Sequence, residues 1–116
     1  MKHRRKQGSE IREELKGTLL KFKELLSARI SVHQVILFGS NARGEARLGS
    51  DVDVVVVLKN IIDDDADEAV SDCAWEAGFE RGLVIVPIVF SRDEWENGPE
   101  RHSLLAQAVA SEGIAV

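Results

Sequence analysis

The sequence predicts a small α/β (α+β) domain in which a mixed three-stranded sheet packs with about four helices. Three observations predict it. A helical pattern with apolar residues at three- and four-residue spacing opens the chain. Three apolar runs of strand length follow, and a helical stripe separates the last two. At 116 residues, the chain fits one domain that buries roughly two-thirds of its unfolded surface.

The residues justify each element in turn. Met1 to Gln7 is a basic run read as a frayed, solvated tip, so residues 1–8 are taken as a flexible N-terminal segment and 9–116 as the single domain. Ser9 is the expected N-cap of the first helix. Ile11, Leu15, Leu19, Phe22, Leu25 and Leu26 form its apolar stripe to about Arg29. Val32 to Phe38 reads as the first strand, with a short helix expected after Ser40. Asp51 to Val57 reads as the second strand, and its valine run suggests burial on both faces. The acidic stretch Asp63 to Glu68 suits a helix N-terminus better than a metal site. Ala69, Val70, Cys73, Ala74 and Ala77 continue that helix inward to about Gly78–Gly82, which makes Cys73 a small core residue rather than a nucleophile. Leu83 to Phe90 is the third strand, placed at an edge by Pro87. Ser91 and Glu94 form a capping box for a short helix, and Gly98-Pro99 breaks it. A last helix is expected over about Glu100 to Ser111, stopped by Gly113, with Ile114 to Val116 against the body. Trp75, Phe79 and Trp95 are read as core by default, with an exposed interaction patch as the alternative, since interfaces favour aromatics.

Composition narrows the function. The chain is 44% hydrophobic with a formal charge of −5, which argues against a dedicated nucleic-acid or anionic-membrane surface. One cysteine excludes an internal disulfide and fits a reducing, cytoplasmic setting. No apolar run approaches membrane-spanning length, and the basic start lacks the apolar segment of a secretory signal. His3, His33 and His102 show no ligand spacing.

The chemistry is concentrated between Leu37 and Val57. Gly39 and Gly44 permit tight turns and close backbone approach. Backbone N–H groups after Ser40 suit an anion such as phosphate. Asp51 and Asp53 fall on one face of a strand, their Cα atoms about 6.6 Å apart at the usual rise, so both can converge on one Mg²⁺ or Mn²⁺. A cap at Asp51 and a solvated Asp53 is the rival reading. A carboxylate set among Val52 and Val54 to Val57 is costly unless paired or metal-bound, which favours the site. Together the two features point to a nucleoside triphosphate.

Phe38-Gly39-Ser40, ten spacer residues containing Ala42-Arg43-Gly44 and Gly49-Ser50, and then Asp51-Val52-Asp53-Val54 resemble the minimal nucleotidyltransferases of the DNA polymerase β-like superfamily. The resemblance implies a palm-like fold and transfer of a nucleotide from ATP to a hydroxyl. It implies Gly39, Ser40, Arg43 and Ser50 as nucleotide-binding residues, with Asp51 and Asp53 as catalytic metal ligands. It also implies an antitoxin role beside a helical HEPN-domain partner. The family's third carboxylate, from the next strand, has no counterpart here, since Val86, Pro87 and Ile88 occupy its place. Two readings therefore stand together, an active nucleotidyltransferase and a nucleotide- or partner-binding module. Small-molecule (antibiotic) nucleotidylation is a weaker third, because no acceptor domain is visible. Self-association, acceptor and base preference are left open by the sequence.

Overall fold

A computed structural model of the protein describes residues 2–39, 51–60, 62–99 and 103–116. The elements are α1 (Lys2–Ser27), β1 (Val32–Leu37), β2 (Asp51–Leu58), α2 (Asp64–Phe79), β3 (Val84–Ser91), α3 (Arg92–Asn97), α4 (Leu104–Glu112) and β4 (Ile114–Ala115). The strands form one mixed sheet in the order β3-β2-β1-β4. β1 pairs antiparallel with β2 and β4, whereas β2 and β3 run parallel. A parallel pair needs a crossover, and α2 supplies it.

β2 is the buried centre, with Val54, Val55, Val56 and Val57 at 0% exposure. Burial on both faces explains why its sequence is nearly continuous valine rather than alternating. One face carries Val52, Val54, Val56 and Leu58 against Leu19, Phe22 and Leu26 of α1 and Val70, Cys73 and Ala77 of α2. The other carries Val55 and Val57 against Phe90 and Val109, with Trp95 and Leu105 at its margin. Trp95 meets Phe90 at a ring separation of 5.1 Å, so its core assignment holds.

Helix ends follow the expected chemistry where side chains supply it. Asp63 caps α2, its carboxylate accepting from the Ala66 N–H at 2.7 Å, and Asp64, Asp65 and Asp67 occupy the first turn. At α3, the Glu94 N–H donates to Ser91 Oγ and the Ser91 N–H donates to Glu94 Oε1, completing the capping box. Gly113 ends α4 with its N–H on the Val109 carbonyl.

Four expectations shift. α1 begins at Lys2 rather than Ser9. Lys, Arg and Gln are good helix formers, so the helix runs back past a residue that would cap it only if the preceding chain could not continue. α4 starts at Leu104, capped by Ser103, and residues 100–102 lie outside the described set. A fourth strand appears, in which the two residues of β4 pair with Ile36 and Leu37. The Val116 N–H adds a bond to the Val35 carbonyl at 2.9 Å. Trp75 and Phe79 are exposed rather than core.

β3 lies at a sheet edge among the described residues. The Phe38 N–H donates to the Asp53 carbonyl at 3.0 Å. Backbone groups alternate along a strand, so Asp53 addresses β1 and Val54 addresses β3. Pro87 is the register partner of Val54. Its nitrogen therefore faces the free edge, where a missing donor leaves the ladder intact.

Candidate functional site

The site forms where β1 ends and β2 begins. Antiparallel pairing brings Leu37 opposite Val54, which sets Gly39 beside Asp53. Gly39 adopts φ +78°, and a Cβ there would lie 2.9 Å from Asp53 Oδ2. Glycine is thus favoured by the backbone conformation, and a side chain there would have to displace the end of the Asp53 carboxylate. The positive φ expected of a turn glycine is present, and the side where a Cβ would stand faces a carboxylate.

Alternation along β2 places Asp51 and Asp53 on the face of Val55 and Val57. Asp51 is exposed and Asp53 half-buried. Burial pushes the Asp53 carboxyl above its ordinary value, and the neighbouring Asp51 charge pushes it the same way. Such a pair of crowded oxygen donors fits a hard divalent cation, which would relieve both causes at once. Among the described residues no group of three or more His, Cys, Asp or Glu could hold a metal. A cation at the pair would complete its shell with water and phosphate oxygens, as Mg²⁺ commonly does.

Ser40, Arg43 and Ser50, the other predicted nucleotide contacts, and the short helix expected after Ser40, lie outside the described residues. Cys73 is 2% exposed on the inner stripe of α2, and burial raises its thiol, as suits a core residue. His33 sits near the start of β1, at the strand's far end from Gly39.

The register identifies which β3 residue stands beside the acids. Asp53 pairs with Val86 and Asp51 with Val84. Register partners in a parallel pair share a face, so Val86 looks out on the same side as Asp53 while Ile85 turns into the core. Of the three residues the sequence left open, Val86 is the one whose side chain flanks the pair. Its identity could not be fixed without the register.

The nucleotidyltransferase domain profile matches residues 19–97, which spans both aspartates and Gly39. No curated protein matches the chain. Among solved structures, a chain of a toxin–antitoxin complex with AMP-PNP aligns at 21% identity and TM-score 0.57, covering 82% of this chain and 68% of that one. A chain of a mutant MntA-HpeT toxin–antitoxin complex aligns at 21% and 0.56, covering 83% and 68%. A complex of tri-AMPylated Shewanella oneidensis HEPN toxin with MNT antitoxin gives 18% and 0.50, covering 84% and 70%. At these identities the likeness is one of fold.

Proposed function

Since this chain belongs to the nucleotidyltransferase domain family, we propose that it binds ATP at the Gly39 turn and transfers its nucleotide to a hydroxyl on a HEPN-domain partner, as the antitoxin of a toxin–antitoxin pair. The observation that carries the reading is the close approach of the Gly39 backbone to Asp53, where an added Cβ would meet Oδ2 at 2.9 Å. It joins a positive-φ glycine with a carboxylate that burial and the neighbouring Asp51 charge hold above its ordinary value. The solved relatives add support, one with AMP-PNP and one with an AMPylated HEPN toxin.

In this reading Asp51 and Asp53 hold Mg²⁺ or Mn²⁺, while Gly39, Ser40, Arg43 and Ser50 hold the triphosphate. The bound cation supplies charge stabilisation to the attacking and leaving oxygens. The acceptor oxygen bonds to the α-phosphorus, the bond from that phosphorus to the β-bridging oxygen breaks, and pyrophosphate departs. Gly39 leaves the space for the chain and phosphate to meet, and the aspartates fix the in-line geometry. The hydroxyl proton has no acceptor on β3, where Val86 flanks the pair. It passes to water or to a base on the partner.

Val86 also favours a second reading, a module that binds nucleotide and partner without transfer. Incubation with labelled ATP, Mg²⁺ and the product of the adjacent reading frame, expected to be a HEPN-domain protein, separates them. Label on the partner that vanishes with Asp53→Ala supports transfer. A stable complex without label supports the module, and the absence of both overturns the pairing.

A further inference from the structure

We propose that the outward face of α2 around Trp75 and Phe79 is a docking surface for a basic amphipathic helix of the partner, on the opposite side of the sheet from the carboxylates; this rests on the pairing proposed above. Trp75 and Phe79 stand one turn apart, 68% and 67% exposed. Their rings stack at 4.7 Å with 19° between planes. Two large aromatics held together in water are costly to leave uncovered, and contiguous apolar surface of this kind marks interaction sites. Beside them a groove of about 540 Å³ runs between α2 and the free edge of the sheet, floored by Leu83, Ile85 and Pro87.

Charge states what the occupant carries. α2 bears Asp64, Asp65, Asp67, Glu68, Asp72 and Glu76 and no basic residue. Glu68, Asp72 and Glu76 recur at four-residue spacing alongside the aromatic pair. Among the described residues Arg29 pairs with Asp72 at 3.2 Å, and Lys21 with Glu80, just past the helix, at 2.8 Å. A partner surface with lysine or arginine around an apolar centre is complementary.

The sheet edge states its shape. Adding a strand to β3 would seek backbone donors from the outward-facing residues, and Pro87 has none. An occupant that presents side chains rather than an open backbone avoids this loss, and a helix with apolar residues at i, i+3 and i+4 does so. The carboxylates share their face with Val55 and Val57, whereas α2 packs on the face of Val54 and Val56. Docking there holds a partner while leaving the nucleotide pocket open.

The test measures affinity for the product of the adjacent reading frame, the partner proposed above, by calorimetry at low and high salt. Trp75→Ser/Phe79→Ser should weaken the complex by about 30-fold or more, as loss of an aromatic hot spot does. Glu68→Lys/Glu76→Lys should weaken it by about tenfold, chiefly at low salt. Both variants should melt like the wild type and bind Mg²⁺-ATP unchanged. Wild-type affinity in the aromatic variant overturns the docking surface and leaves the functional reading standing. A wild-type chain that dimerises alone, and becomes monomeric with Trp75→Ser/Phe79→Ser, overturns it too, by assigning the face to a second copy. No complex even with the wild type overturns both.

Discussion

Replacing Gly39 by alanine tests the site at its narrowest point. The backbone there holds φ +78°. A Cβ residue in that region costs roughly 1–2 kcal/mol, partly offset by about 0.4–1 kcal/mol from stiffening the unfolded chain. Gly82 provides the control, because it has φ +66° with nothing within 4 Å of a built Cβ. Gly82→Ala should therefore lose only the backbone difference, about 1 kcal/mol or a melting shift of about 4–8 °C. Gly39→Ala bears the same loss and must also move Asp53 Oδ2 from its 2.9 Å position. That displacement moves the free end of a half-buried side chain, so it should add little to the stability loss and act chiefly on the site. Denaturant unfolding of both variants measures the shared loss, and thermal shifts with Mg²⁺ and ATP report the site. The expected result is that ligand-induced stabilisation survives in Gly82→Ala and is lost in Gly39→Ala. Equal ligand-induced stabilisation of the two variants would refute the idea that the close approach of Gly39 to Asp53 organises the pocket.

Three further outcomes follow from the same geometry, and a fourth from the core. Asp51→Asn and Asp53→Asn should each fold normally and lose Mg²⁺-dependent ATP binding by about tenfold or more, the scale of a charge pair at short range; unchanged titration curves in both would count against the pair as ligands. Asp53 is held above its unfolded value by burial and Asp51, so its ionised form weakens the fold. Its penalty is absent below the unfolded value and grows as pH rises through the folded one. The apo wild type should therefore lose stability relative to Asp53→Asn over that interval in a series of melting curves, and Mg²⁺ should cancel the difference at neutral pH. Val86→Asp should raise nucleotide transfer to the partner by about 10²-fold, the lower end of general-base assistance, if the residue beside Asp53 is where proton acceptance is missing. Restored metal binding with no gain in transfer would contradict it. Thr18 is 1% exposed, and among the described residues its hydroxyl has no hydrogen-bond partner. The isosteric Thr18→Val should add about 1 kcal/mol in denaturant unfolding by removing a desolvated hydroxyl.

Most of the architecture was legible because it rests on local rules. The valine run of β2 announced a strand buried on two sides, and Ser91 with Glu94 announced a helix start within one residue. Pro87 announced an edge. The fourth strand was not legible, since two residues become a strand only through their bonds to Ile36 and Leu37. Trp75 and Phe79 show how residue type can mislead. The inward stripe of α2 runs through Ala69, Val70, Cys73, Ala74 and Ala77, and neither aromatic lies on it. Spacing had already excluded them from the core, while their hydrophobicity argued for it. At the site, the two aspartates and Gly39 were readable from spacing and turn chemistry. Their close approach, and the choice of Val86 over Pro87 or Ile88, depended on pairing between strands distant in sequence.

The outward nitrogen of Pro87 has a consequence for the chain before it is finished folding. Without it, residues 83–90 would be an unbroken octet of aliphatic and aromatic residues, of the kind that stacks into cross-β fibrils. Among the described residues β3 is an edge strand, and it joins the sheet across a parallel pairing, which forms slowly. During that interval the pyrrolidine ring acts as a gatekeeper. A valine in its place would leave the finished ladder unharmed and expose every folding intermediate to its neighbours.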